Sequence, residues 1–306
     1  MQLILGTVQL GLNYGITNIY GKPELSESLE IIKYALDNDI NTFDTARAYG
    51  DSEYILGLAN QRYNNINIIT KLDPLNNINE STSIDIIYKL IDDSINLSMN
   101  NLNINVIDTF LLHRFEHYNN KIIWNYLLEK KNINKIKKLG VSVYYVDEAI
   151  KALNDDNIKH IQLPINILDD QWFCEEFLQL IKKRNDVTIH CRSILLQGIL
   201  ISSADKWPKI ENIDAQIYIN KLNDLVAELK FNNRIELCFS YIKSIDLING
   251  LLIGVDNLQQ LKDNINYFKV RKLNEEEFLL IRKIFNNVPK KLLNPSLWNL
   301  EVKEIN

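Results

Sequence analysis

The segment VIDTFLLHRFEHYNNKIIWNYLLEKKNINKIKKLGV, residues 106–141, decides how the rest of the chain is read. It opens on VIDTFLL (106–112), an apolar run of strand length that ends at His113. Trp124, Leu127 and Leu128 then recur at helical spacing, and IKKLGV (136–141) returns to a strand-like run. A strand followed by a helix and a second strand is the repeating step of a parallel sheet.

The same step extends in both directions. Further strand-like runs fall at 3–5, 41–43, 66–70, 160–163, 187–191 and 250–253, which makes eight. Helical spacing recurs between them in Leu29, Ile32 and Leu36, in Ile84, Ile87, Ile91 and Ile95, and in Phe173, Phe177 and Ile181. Eight such steps predict a (β/α)8 TIM barrel, an α/β fold with its sheet closed on itself. Such a barrel takes roughly 250 residues, so the 306 residues leave room for a helix near 215–230 and another at 275–285. No Gly/Ser/Pro-rich linker interrupts the chain, and no longer repeat overlies the alternation. The reading is one domain over residues 1–306.

Composition narrows the partners. Lys plus Arg is 34 against 39 for Asp plus Glu, a net charge of −5, with no concentrated basic face for nucleic acid or an anionic membrane. No apolar run reaches the length of a membrane span, and MQLILGTVQLGLNYG (1–15) lacks the basic start of a secretory signal. Cys174, Cys191 and Cys238 are few, odd in number and far apart, which points to reduced thiols, a cytoplasmic location and no zinc site. Asn pairs such as Asn64-Asn65, Asn100-Asn101 and Asn232-Asn233 interrupt periodic apolar stretches and read as surface and loop positions.

A barrel of this kind keeps its chemistry at the C-terminal strand ends. That rule selects Asp44, Lys71, His113, Gln162, Arg192 and Ser193. Tyr49 follows Asp44 by five residues in a loop. A phenol has a pKa near 10 and releases its proton poorly at neutral pH. An ammonium beside it lowers that value, and a carboxylate fixes the ammonium. Tyr49, Lys71 and Asp44 therefore form a candidate proton donor, with His113 holding a substrate oxygen. Such a set suits protonation of an alkoxide as hydride reaches a carbonyl carbon. Singly, the same residues read as a rim ion pair, a packing tyrosine and a rim histidine; in combination they point to a site. His160 and His190 read as core residues, Cys191 as a buried thiol, and Trp124 and Phe177 as helix core. His117, four residues after His113, has no ligand cluster with it.

The order of these motifs resembles the aldo-keto reductases, in particular short bacterial members. LGTVQLGLNYG (5–15), FDTARAYGDSEYILG (43–57), TKL, LLHR, LGVSVY (139–144) and LLIGVDNLQQLKDN (251–264) follow in family order over nearly the whole chain. The resemblance implies a (β/α)8 barrel that uses NADPH or NADH and no metal to reduce an aldehyde or ketone. It implies that Asp44, Tyr49, Lys71 and His113 form the catalytic tetrad. It places Gly6, Thr7 and Asp44 beside the nicotinamide ribose, and Ser142 and Gln162 on the carboxamide. Ser193, Leu195, Gln197 and Gly198 fall along the pyrophosphate, and Gly254, Asp256, Asn257, Gln260 and Asn264 around the adenosine. The opening at the first strand implies that the N-terminal β-hairpin of many relatives is missing.

Two positions depart from the pattern. Arg192 stands where many relatives stack an aromatic ring on the nicotinamide, and Gln260 stands where NADP-specific relatives place an Arg. An Arg plane also stacks, but its charge disfavours the oxidised, cationic nicotinamide. The cofactor choice stays open, with NADH usable. Resemblance to members found near surface-polysaccharide genes suggests a keto-sugar or sugar-nucleotide substrate, with simple aldehydes as the competing class. Loops at 18–22 and 115–119, the tail 289–306, and Trp172 and Trp298 are candidates for shaping its pocket. An alternative function is a cofactor-binding sensor or regulatory subunit with little turnover. A metal-dependent hydrolase would need more ligands than four His provide.

Overall fold

Eight parallel strands hydrogen-bond side by side in chain order, and the last closes on the first. They are β1 (Gln2–Gly6), β2 (Thr42–Asp44), β3 (Asn67–Lys71), β4 (Ile107–Leu112), β5 (Ile136–Ser142), β6 (Ile158–Pro164), β7 (Thr188–Arg192) and β8 (Gly250–Gly254). The computed structural model describes residues 1–63, 65–79 and 81–298; part of the tail expected to shape the pocket lies outside them. Closure is in register over five pairs, from Gln2 opposite Gly250 to Gly6 opposite Gly254.

All eight expected strands are present, with ends shifted by one or two residues. The strands are mostly apolar because both faces are largely covered, one by the barrel interior and one by helices, with exceptions such as the exposed Lys137 and Lys138 of β5. Phe43, Phe110, Leu111, Val141, Ile161 and Leu163 are fully buried. The outer helices supply the second layer of core through Ile32, Ile91, Leu127 and Phe177, all with no exposure, and through Trp124. Two helices rather than one, Ala215–Glu228 and Arg234–Lys243, separate β7 from β8. The helix Glu275–Ile284, which follows the barrel, starts with a capping box in which Asn274 and Glu277 satisfy each other's backbone N–H groups.

One close approach fixes the helix Ser52–Arg62 against the helix Ile84–Leu102. A Cβ on Gly57 would lie 1.9 Å from the Asn101 carbonyl oxygen, so only glycine lets these backbones meet. Among the described residues no helix is long and apolar enough to cross a membrane.

Candidate active site

Asp44 is the last residue of β2 and Lys71 the last of β3, so the pleat of neighbouring strands aims both at the same strand-end bowl. Lys71 is 1% exposed and Asp44 2%. The Lys71 ammonium donates to Asp44 Oδ1 at 2.6 Å and to the Thr45 carbonyl oxygen at 2.8 Å. The Gln162 amide donates to Asp44 Oδ2 at 2.7 Å. Each carboxylate oxygen therefore has a donor. Burial lowers the Lys71 pKa from its ordinary value, and the Asp44 carboxylate acts against that shift.

Tyr49 hangs from a tight turn after β2, held by Tyr49 N–H to the Ala46 carbonyl at 3.0 Å and Ser52 N–H to the Tyr49 carbonyl at 3.0 Å. Two glycines admit this turn. Gly50 has φ +54, and a Cβ on Gly11 would lie 1.8 Å from the Tyr49 carbonyl oxygen. The half-buried Tyr49 ring meets the His113 ring edge-on, with centroids 5.6 Å apart. The Lys71 ammonium lies 5.0 Å from the Tyr49 ring centre. The structure thus brings Asp44, Tyr49, Lys71 and His113 together at three neighbouring strand ends.

The phenol's acidity differs from the sequence expectation. An ammonium close to Tyr49 was expected to lower its pKa, yet the pKa is raised from 10.0. Burial is the main cause and the Asp44 carboxylate adds to it, while the Arg192 guanidinium acts the other way. The Lys71 charge is already matched by Asp44. His113 is held neutral, with a pKa lowered to about 3 by burial and then by the charges of Lys71 and Arg192. Its Nδ1 is buried and without a hydrogen-bond partner.

The remaining sequence-selected residues line up around this centre. Thr7 is fully buried; its hydroxyl donates to the Asp44 carbonyl at 2.9 Å and lies 2.6 Å from Ser52 Oγ. Gly6 pairs with Asp44 and with Gly254, so β1 carries its glycine between two site strands. Ser142 ends β5 opposite Gln162 of β6, and both are buried. Arg192, the last residue of β7, donates to the Val143 carbonyl at 3.1 Å and stacks on Tyr144, its guanidinium 4.4 Å from the ring centre. Ser193, Leu196 and Gln197 adopt positive φ, and Gly198 follows at +87. Leu195 packs against the core. The loop after β1 crosses to this segment: Gln197 accepts from Ile16 N–H at 3.3 Å through its side chain and from Thr17 Oγ1 at 2.9 Å through its carbonyl.

At the far end, Asn257 caps the helix Leu258–Tyr267 by accepting from the Gln260 N–H at 2.9 Å. The N–H groups of Leu258 and Gln259 have no acceptor among the described residues. Gln260 accepts from Asp256 N–H at 2.9 Å and donates to the Asp256 carboxylate at 3.2 Å. Asn264 is buried on the same helix. Trp172 is fully buried and donates to Asp169, and buried Trp298 donates to the carbonyls of Lys291 and Leu292; both are structural.

Three features escaped the sequence reading. Gln9 Oε1 is buried without a partner and lies against Gly254, where a Cβ would come within 2.4 Å of the Gln9 amide. Glu53, fully buried, accepts from Thr70 Oγ1 at 2.7 Å and pairs with Arg47 at 2.6 Å, beside Lys71. Its place in GDSE, just past Tyr49, is the one sequence signal that marks it. Tyr14, exposed at the mouth, accepts from the Gln197 amide at 3.3 Å. Among the described residues no three His, Cys, Asp or Glu side chains stand together as metal ligands. A surface depression lined by Glu24, Glu30, Lys33, Arg62 and Tyr63 contains none of the strand-end groups.

Comparison with known proteins agrees with this architecture. The model of the Aldo/keto reductase family matches residues 2–286. An aldo-keto reductase from Bacillus halodurans, solved in its holo form, superposes with a TM-score of 0.71 at 22% identity, covering 92% of this chain and 91% of that one. A candidate aldo-keto reductase from Pseudomonas aeruginosa gives 0.62 at 18% identity, covering 87% and 88%. No curated protein matches.

Proposed function

The chain belongs to the aldo/keto reductase family, whose members are oxidoreductases acting on carbonyls, and from that premise we propose that it reduces an aldehyde or ketone to an alcohol with NADPH or NADH. The observation that carries this reading is the buried Lys71–Asp44 pair beside Tyr49 and His113. When bound, the dinucleotide supplies the hydride.

The residues present fit such a group. The unpartnered Gln9 oxygen offers an acceptor to a hydroxyl or amide, and the free N–H groups of Leu258 and Gln259 at a helix start offer donors to a phosphate. Gly6, Thr7, Ser142, Gln162, Ser193, Leu195, Gln197, Gly254, Asp256, Gln260 and Asn264 form the proposed groove between these points, with Arg192 at its edge.

Tyr49 is the proposed proton donor. Its raised pKa keeps it protonated at neutral pH. An alkoxide is a base comparable to hydroxide, whose conjugate acid has a pKa of about 15.7, so the transfer from the phenol to it remains downhill. Lys71 then faces the phenolate, and Asp44 keeps the ammonium in place. The neutral His113 ring holds the carbonyl oxygen by a hydrogen bond and adds no charge of its own.

Tyr49→Phe tests this assignment. Carbonyl-dependent oxidation of the reduced cofactor is expected to fall at least about hundred-fold, while the cofactor dissociation constant stays within a few-fold. Turnover kept at the parent level would remove Tyr49 from the reaction.

A further inference from the structure

Arg192 carries a charge with no carboxylate bonded to it. It forms no ion pair among the described residues. Asp44 is held by Lys71 and Gln162, and Glu53 by Arg47. Glu148, which senses Arg192, accepts instead from the N–H groups of Tyr144 and Tyr145 at 2.7 and 3.2 Å. Of the five guanidinium N–H donors, one meets the Val143 carbonyl and another reaches Ser193 Oγ at 3.4 Å. The others have no acceptor.

The placement is specific. Arg192 is half-buried, and its side chain reaches from the end of β7, past β6, to the residue after β5. Its field is felt at Tyr14, Tyr49, Lys71 and His113, the groups around the bowl. Lys71 is paired with Asp44, and Glu148 feels the Arg192 charge without a bond to it, so no carboxylate is seated on the guanidinium. Stacking on Tyr144 uses a face of the guanidinium and leaves its edge, where the N–H groups lie, open to a ligand.

We infer that Arg192 is a specificity residue that anchors an oxyanion, a carboxylate or a phosphate, carried by the carbonyl substrate. The inference rests on the reductase reading above. A fork of parallel N–H donors matches the two oxygens of such a group. A partly desolvated cation left unpaired is unfavourable, and an anionic substrate relieves that cost where a neutral one does not. The anion confers binding and orientation; the hydride and proton steps are unchanged.

The test compares matched substrates with the full chain at one ionic strength. Para-carboxybenzaldehyde is set against para-methylbenzaldehyde, and glyceraldehyde phosphate against glyceraldehyde. The kcat/KM ratio of charged to neutral member is expected to be about tenfold or more in at least one pair, and the pair that shows it identifies carboxylate or phosphate. In Arg192→Met the ratio should approach one, and in Arg192→Lys it should be intermediate. A parent ratio near one, or a ratio that survives in Arg192→Met, overturns the inference while leaving the reductase reading intact. Absence of turnover with every carbonyl would instead strike the reductase reading. The charge preference is then read by calorimetric titration with para-hydroxymethylbenzoate and benzyl alcohol in the presence of oxidised cofactor, where equal affinities overturn it.

Discussion

The Lys71 ammonium sits 2.6 Å from Asp44 Oδ1 with only 1% of its side chain exposed. A buried pair of this kind is costly to break, because removing one partner leaves an uncompensated charge. Asp44→Asn and Lys71→Met should each destabilise the protein by about 3–5 kcal/mol. The double variant, with neither charge left, should lose clearly less than the sum. Urea unfolding of the four proteins reads this directly, and additive losses would mean that the two charges do not depend on each other.

Acid should weaken the fold well above the range in which carboxylates titrate. His190 has its pKa lowered from 6.5 to about 3 by burial, and His160, its neighbour across an edge-on contact of 4.3 Å, is lowered in the same direction. Three of their four ring nitrogens are buried without partners. Below pH 6.5 the unfolded chain takes up protons that the folded chain refuses, so stability present above 6.5 is lost as pH falls towards 3. Asp169, raised to about 6, acts in the opposite sense: its folded form binds the proton more tightly, so it contributes stability at low pH that is lost as pH rises towards 6. His113, lowered to about 3, acts like His190 and His160, so three histidines against one carboxyl leave a net slope of about two protons, or ~2.7 kcal/mol per pH unit near pH 5. Urea midpoints between pH 7 and 4.5 should fall accordingly, and His190→Asn should flatten the slope. A parent midpoint independent of pH over this range would contradict the argument.

The barrel was legible because strands buried on both faces are continuous apolar runs, while the helices between them keep their own period. Strand ends were less so, and for one reason. Asp44, Lys71 and Arg192 are polar and read as the residues after a strand, yet sheet hydrogen bonding extends through each of them. The four central groups were legible because each follows an apolar run or sits in one short motif. The raised Tyr49 pKa was not, since it depends on burial rather than on which charges are near in sequence. Neither was the Arg192–Tyr144 stack, which joins residues 48 positions apart through strands separated by β6.

Glu53 is expected to act through Lys71. It is fully buried, shares Thr70 with the strand that carries Lys71, and its charge supports the protonated ammonium. Glu53→Gln keeps an acceptor for Thr70 and removes the charge. Lys71 should then lose its proton at lower pH, moving the alkaline limb of the kcat profile down. The cost in stability should be about 1–3 kcal/mol, from the Arg47 partner left unmatched. An unmoved alkaline limb, with stability reduced, would make Glu53 purely structural.

Cofactor choice turns on the start of the helix Leu258–Tyr267. No Arg or Lys occurs from residue 253 to 261, and the Lys262 ammonium lies 5.3 Å from the Tyr34 ring centre. Gln260 is occupied with Asp256 through both its amide oxygen and its amide nitrogen. A ribose 2′-phosphate placed here would meet a carboxylate and neutral amides, with no side-chain cation among these groups. A missing charge-assisted contact is worth about 1.5–3 kcal/mol, or roughly ten- to a hundred-fold in binding. Backbone N–H groups at the helix start compensate in part, since they hold any phosphate. NADH is therefore expected to bind within about tenfold of NADPH. Gln260→Arg should shift the ratio towards NADPH by roughly ten- to a hundred-fold, and Asp256→Asn should shift it in the same direction by less. Dissociation constants for both reduced cofactors, taken at one salt concentration, decide the matter: a hundred-fold preference for NADPH in the parent protein would place the 2′-phosphate against residues other than Asp256 and Gln260.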